Sequence, residues 1–379
     1  MSRQPLVFGP FALDPYVSLF SHRSQGAPIR SGLGIDMTPR TIIAAVAVTL
    51  VSLAPFCVAA AQAPAVVGAA TEIPGVVKGG SPIQRIVTGY KGLDDPIGLT
   101  DGTLVFSEPE ARRLHRLNTQ TDEVSVLVAQ SNESHGVSED AQGRLISAQA
   151  FDGSTRIGVI YPPGREAVLA VKYNGLPFSR PNDLIVAKNG GIYFTDPGLT
   201  KQQAEELVKR NGGTPLGPRL PPAVYYIPPG KAAVRIEDKL IRPNGVQLSR
   251  DETKLYVDDS NGDQVIVWDI RPDGLVENRR AFATLTGRSM RDNGLGGIKT
   301  FADGMTIDND GRLYVATGGG IEVLSPQGQH LGTIPVHCPP ADCQNIAFSG
   351  PIKQTLYIGG AGSLYKVEMI AQGLTTRAK

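Results

Sequence analysis

Arg180-Pro181-Asn182-Asp183-Leu184, Arg242-Pro243-Asn244-Gly245-Val246 and Phe301-Ala302-Asp303-Gly304-Met305 are three versions of one phrase. Each is followed by a short polar turn and an apolar run containing Tyr: Ile192-Tyr193-Phe194, Leu255-Tyr256-Val257 and Leu313-Tyr314-Val315. Weaker copies precede and follow them. Asp94-Asp95-Pro96-Ile97-Gly98 leads to Leu104-Val105-Phe106, Ser134-His135-Gly136-Val137 to Arg144-Leu145-Ile146, and Gln344-Asn345-Ile346 to Leu356-Tyr357-Ile358. Anchors at residues 98, 136, 183, 245, 304 and 345 mark six units. Most of that spacing suits propeller blades of about 40–50 residues carrying four strands. The expected fold is therefore all-β, a six-bladed β-propeller. A β-sandwich with similar turn spacing is the alternative, and a sixfold repeat disfavours it.

Within a unit the runs are short, β-branched or aromatic, and broken by Asp-Gly or Asn-Gly turns, as antiparallel hairpins require. Val265-Ile266-Val267-Trp268-Asp269-Ile270 followed by Pro272-Asp273-Gly274 shows the pattern. One stretch reads as helix: Lys201 to Arg210, ended by Asn211-Gly212-Gly213. With the Pro-rich 215–222 segment it forms an insertion in the third unit, expected to lie over one face and shape a binding site. The content of 44 Gly and 29 Pro fits a turn-rich protein. A formal charge of +1 gives no reason to expect a nucleic-acid partner. The propeller is expected over 83–370, with a C-terminal tail at 371–379.

The N-terminal region reads as a targeting segment. Residues 1–36 carry no fold signal and are expected to be a non-native upstream extension. Met37-Thr38-Pro39-Arg40 then supplies a short basic start, Thr41 to Leu53 an apolar run, and Ala61-Gln62-Ala63 small residues for cleavage. The expectation is a signal peptide over 37–63, a flexible leader over 64–82, and export to the periplasm or outside the cell with no stable membrane span. The alternatives are an uncleaved anchor over Thr41 to Ala63, which Pro55 and Gln62 weaken, and a lipid anchor at Cys57. Cys338 and Cys343 flank Pro339-Pro340-Ala341-Asp342. A disulfide there would pin a tight loop in an oxidising compartment; two free thiols are the alternative.

Several chemistries find no support. There is no Gly-x-Ser-x-Gly elbow for a serine hydrolase. Gly294 to Thr300 lacks the Gly before Lys299 that a phosphate loop needs. Five His with no His-x-x-x-His pair and no Cys-x-x-Cys disfavour a zinc cluster. What remains is oxygen. Equivalent positions in a ring of repeats converge on its axis, so Asn182, Asn244 and Asp303 meet at one end of the channel. Neutral carbonyl oxygens with one or two carboxylates suit Ca²⁺, or Mg²⁺ and Mn²⁺ with waters. Asp303 can both ligate such an ion and take a proton from a neighbouring water. Arg180, two residues before Asn182, faces the same way and can grip substrate oxygens. Arg242 repeats that offset from Asn244, which makes Arg-Pro-Asn look partly structural. His135 is a further contact for substrate or protons. Asp183 points away from the ion and can orient a ligand from behind.

Taken together, Arg180-Pro181-Asn182-Asp183, Pro243-Asn244-Gly245 and Ala302-Asp303-Gly304-Met305 resemble the SMP-30/gluconolactonase/LRE family, from about Asp94 to Val367. The resemblance implies a six-bladed propeller with one catalytic divalent cation, Ca²⁺ first and Zn²⁺, Mn²⁺ or Mg²⁺ behind it. It implies a hydrolase opening sugar lactones or related esters; a closed propeller has few exposed edges and is expected to stand as a monomer. It makes Asn244 and Asp303 metal ligands, places Asn182 at the metal or substrate, gives Arg180 to substrate, and makes Asp303 the general base. One departure stands out. The family's first ligand is a Glu in a Glu-Gly-Pro phrase, and here Asp94-Asp95-Pro96 aligns Asp94 with it. Asp94 would sit about 1–1.5 Å back without a backbone shift, and Asp95 is a possible substitute. The competing readings are a non-catalytic propeller that binds a sugar or protein, an esterase or phosphotriesterase-like enzyme using the same site, and a quinone-dependent sugar dehydrogenase.

Overall fold

The strands form where β-branched and aromatic residues run together. In Gln264–Ile270 the side chains of Val265, Ile266, Val267 and Trp268 are buried, and the strand pairs antiparallel with Val276–Thr284. Gly274 in the connecting turn has φ 81°, a conformation that costs glycine little. This unit recurs throughout the computed structural model of the protein, which describes residues 64–151, 154–289 and 300–379. The expectations for the upstream extension, the signal peptide and Cys57 fall outside the described residues, as do residues 290–299.

Blade one spans 94–128, blade two 134–170, blade three 184–237, blade four 243–284 and blade five 305–334, each a sheet of four antiparallel strands. Blade six joins Asn345–Ser349, Thr355–Gly360 and Ser363–Glu368 to Pro82–Thr88 from the N-terminal side. The first strands of successive blades lie side by side, and Asn345–Ser349 packs back on Asp94–Gly98. The ring is closed, and strand pairing across the two ends of the chain fastens it.

Hydrophobic clusters fill the spaces between adjacent blades. Between blades three and four, Ile185, Tyr193 and Tyr226 pack with Val246, Leu255 and Trp268. Full burial of an apolar side chain of this size stabilises by about 1.5–3 kcal/mol. The ring is tight enough to dictate glycine at its centre. A Cβ on Gly245 would collide with the carbonyl oxygen of Asp303, and one on Gly304 with the side chain of Asn345. The Gly after Asn244 and after Asp303 therefore lets neighbouring first strands touch, beyond any role in a turn.

Two expectations need correction. Residues 64–82 are not a flexible leader. Ala65–Ala69 pairs with Pro82–Thr88 as a fifth strand of blade six. Ile73, Val76 and Val77 are buried in one cluster with Ile334, Val336 and Met369. The C-terminal segment is no loose tail either: Ala371, Leu374, Arg377, Ala378 and Lys379 are buried. No helix among the described residues is long and apolar enough to cross a membrane.

The insertion in blade three contains the helix Lys201–Arg210. Thr200 caps it: its hydroxyl accepts from the Gln203 N–H, and the Gln203 side chain accepts from the Thr200 N–H. Cys338 and Cys343 form a disulfide, with Cα atoms 5.0 Å apart, before blade six.

Candidate active site

The site is carried at the starts of the first strands: in blades one, two and four these are irregular, and in blades three and five Asn182 and Asp303 lie just before the strands Leu184–Val186 and Met305–Ile307. In blade four Pro243 pairs with Asp259, but the next pairing is Val246 with Val257, and Asn244 lies in the skip. Blade two behaves alike, pairing Ser134 with Gln149 and Val137 with Ser147, with His135 in the skip. Blade one pairs Asp94 with Ser107 and Ile97 with Val105. Such bulges re-aim side chains that a regular strand would send elsewhere.

Asp94, His135, Arg180, Asn182, Asn244 and Asp303 all line one cavity of about 600 Å³ at the channel mouth. The structure thus brings together every site residue expected there from sequence. Arg242, Ser260, Phe301, Gln344 and Glu133 also line it. The inserted helix covers it, contributing Gln202, Gln203, Glu206, Leu207 and Arg210.

Hydrogen bonds order the walls. The Asn182 amide donates to Asn244 Oδ1 at 2.8 Å, and Asn244 donates to Ser260 Oγ at 2.9 Å. Arg180 Nη2 donates to His135 Nε2 at 2.8 Å. An accepting Nε2 leaves the proton on Nδ1, which lies 3.3 Å from Asp94 Oδ2. The chain Asp94–His135–Arg180 therefore aims a guanidinium into the cavity with a neutral imidazole between. Burial and then Arg180 lower the His135 pKa, in keeping with that neutral form.

The two carboxylates differ. Burial works against the charge on Asp94, but the hydrogen bonds from His135 and the Asp95 N–H and the nearby charge of Arg180 hold its pKa below the usual value. Asp303 receives no hydrogen bond at its carboxylate among the described residues. Desolvation, then the charges of Asp94 and Asp183, push its pKa well above the ordinary range, with Arg242 opposing. Desolvation and the neighbouring Arg180 lower Arg242 to about 10, and its Nη1 is buried without a partner.

Beneath the mouth the adjacent residues turn the other way. Asp95 has φ 39°, a left-handed conformation disfavoured for residues other than Gly, Asn or Asp. Its carboxylate accepts from the Val137 N–H and from Lys379 Nζ at 2.9 Å. Asp183 accepts from the Val246 N–H at 2.9 Å and also pairs with Lys379. Asp95 is thus no substitute ligand at the mouth: its oxygens are committed to the interior. Asp183 does point away from the cavity, as expected. Sequence reading missed Lys379 altogether, and the signal for it was indirect: two acids directly behind the site residues need a counter-charge.

No three His, Cys, Asp or Glu side chains converge on one point among the described residues. The donors at the mouth are instead two carboxylates, Asp94 and Asp303, and two amides, Asn182 and Asn244. That mixed oxygen set fits a hard divalent cation. The unpartnered Asp303 beside a like-charged Asp94 is where such a cation would relieve repulsion.

Fold and mouth together define a six-bladed propeller with one polar, cation-competent cavity at the end of its channel. The chain belongs to the SMP-30/gluconolactonase/LRE-like family, whose model matches residues 98–362. It is 30% identical over 306 residues to a gluconolactonase of Zymomonas mobilis, covering 76% of this chain and 81% of that protein. Regucalcin of Danio rerio is 31% identical over 266 residues, 69% of this chain and 79% of that protein. The solved structure of a gluconolactonase from Xanthomonas campestris superposes with a TM-score of 0.66 at 28% identity, covering 82% of this chain and 99% of that one.

Proposed function

We propose that this protein hydrolyses sugar lactones or closely related cyclic esters. Asp303 serves as general base, and Asp94, Asn182, Asn244 and Asp303 hold one divalent cation, with Ca²⁺ the first choice over Zn²⁺, Mn²⁺ and Mg²⁺. The observation that carries this is the Asp303 carboxylate, free of hydrogen-bond donors, facing the same cavity as Asp94, two amides and two guanidiniums. Kinship with gluconolactonases supports the substrate class.

When bound, the cation supplies a Lewis acid that polarises the lactone carbonyl and makes a neighbouring water more acidic. Asp303 accepts the proton of the attacking water at a carboxylate oxygen while the water oxygen adds to the carbonyl carbon. The ring C–O bond then breaks, and the proton passes to the departing alkoxide, leaving a hydroxy acid. Arg180, steadied by His135, and Arg242 bind ring oxygens and the carboxylate of the product. Leu199, Leu207 and the helix over the cavity limit the access of bulk water.

We also propose export to the periplasm or outside the cell as a monomer. The Cys338–Cys343 disulfide suits an oxidising compartment, and a closed ring leaves few sheet edges for association.

The test is a pH-stat assay on gluconolactone and a small lactone panel. Chelator-stripped protein is assayed before and after each ion is restored, beside Asp303→Ala. Turnover that returns with an ion and is missing in the variant is the expected result. A folded protein that opens no lactone with any ion would refute the proposal.

A further inference from the structure

We propose that Lys379 is a positioning residue for the cation site: its buried ammonium holds Asp95 and Asp183, and through them the backbone that aims Asp94 and Asn182 at the mouth. The inference rests on the cation site proposed above.

The side chain of Lys379 is fully enclosed and ion-paired to both carboxylates. Each of these acids directly follows a residue of the site. Each also crosses to the next first strand: Asp95 accepts from Val137 N–H, two residues after His135, and Asp183 from Val246 N–H, two residues after Asn244. One ammonium therefore ties together the starts of blades one and three and reaches blades two and four. Asp95 most needs such a tie, because its φ of 39° is a disfavoured conformation that its contacts must maintain. The segment delivering Lys379 is itself anchored. Arg377 donates to Gln247 Oε1 at 3.0 Å and to the Leu248 carbonyl at 2.8 Å. Lys353 Nζ donates to the Arg377 carbonyl at 2.6 Å and the Gly98 carbonyl at 2.9 Å. The ammonium is thus held at a set depth in the channel.

Charge and geometry predict opposite signs on removal. Deleting a positive charge near a cation site strengthens cation binding by Coulomb's law. Releasing the ligand-bearing backbone weakens it. A fall in affinity can therefore come only from lost positioning.

The experiment compares the full chain with Lys379→Met, which keeps the length of the stem and removes the charge. Ca²⁺ affinity of chelator-stripped protein is measured by calorimetry, kcat and KM on gluconolactone are measured separately, and Tm is recorded in chelator. Val323→Ala, in the buried core of blade five, controls for lost stability alone. Lys379→Met is expected to weaken Ca²⁺ binding at least tenfold and to lower kcat, while Val323→Ala lowers Tm and leaves the affinity unchanged. Lys379→Gln also removes the positive charge, so weaker binding again reports lost positioning alone, and it carries the test if Lys379→Met does not fold. Unchanged or tighter binding in the folded variant overturns the positioning role alone. Absence of Ca²⁺ binding by the parent protein overturns the cation site and the positioning role with it.

Discussion

Asp94 and Asp95 are adjacent in sequence, as are Asn182 and Asp183, yet one of each pair faces the mouth and the other the closed interior beneath it. The upper set opens on a cavity, and Asp303 there faces Asp94 with no donor of its own. The lower set is closed: Asp95 and Asp183 share Lys379 and each take a backbone N–H. Both ends bring like charges together inside protein. Only at the lower end is the counter-charge bonded to the acids themselves; at the mouth Arg180 and Arg242 stand nearby, and neither hydrogen-bonds Asp303. A buried charge with every partner present supports structure; one left without partners marks where an outside ligand completes the arrangement.

That contrast can be broken by exchanging stability for activity. Asp303→Ala should lower kcat by about 10²–10⁴-fold, the usual contribution of a general base. Tm in chelator should stay level or rise, because the substitution removes an unpaired carboxylate that repels Asp94. A large fall in Tm with chelator present would show that the mouth is as structural as the interior. The lower end should respond in reverse. Asp183→Ala leaves Lys379 short of a partner and the Val246 N–H without an acceptor, and breaking a buried pair this way costs about 3–5 kcal/mol. Urea unfolding measures it; a loss under about 1 kcal/mol would mean that the interior pair contributes little.

The upper end was far more legible in the sequence than the lower, and the reason is physical. Asn182, Asn244 and Asp303 recur at one place in a repeated phrase, and symmetry about an axis turns recurrence into convergence. The helix at Lys201–Arg210 was legible too, through its polar, strand-unfriendly run and the Asn-Gly-Gly stop. Lys379 repeats nothing. Its partners lie 284 and 196 residues away in the chain, and an isolated Lys in sequence carries no mark of burial. Ala65–Ala69 was hidden for a different reason: small residues without alternation look like linker, and only the free edge of Pro82–Thr88 makes them a strand. Arg242 was visible, but its offset matched that of Arg180 and so argued equally for structure and for site. The shortened first ligand had no sequence-level resolution at all. The left-handed turn at Asp95 decides which of two neighbouring acids faces the mouth, and φ cannot be read from Asp-Asp-Pro.

Lys353 sharpens the comparison through pH. Burial lowers its pKa from 10.5 to about 8. A folded value below the unfolded one means that the unfolded chain binds more protons in this window, so this group makes stability rise with pH from about 8 to 10.5. The difference in unfolding free energy between parent and Lys353→Met should widen across that window by about 1–3 kcal/mol. A constant difference would show that the amine is as easily protonated folded as unfolded.

The smallest effect belongs to the cover of the mouth. Arg210, at the end of the inserted helix, pairs with Glu133 of the cavity wall at 2.8 Å, and its guanidinium lies 5.5 Å from the centre of the Phe151 ring. Arg112 stacks on the same ring at 4.2 Å. Half of the Arg210 side chain is open to solvent, so the pair is worth about 0.2–1 kcal/mol and is screened by salt. Arg210→Ala should therefore raise KM by no more than about fivefold, the equivalent of 1 kcal/mol, and leave kcat unchanged. The gap between parent and variant should shrink when KM is measured in about 1 M salt, where the screening length is near 3 Å. If kcat falls instead, the helix orients the reacting groups and belongs with Asp303. If KM rises and the salt dependence vanishes, the guanidinium touches substrate directly, because a contact sealed inside the cavity is screened far less than a latch at its rim.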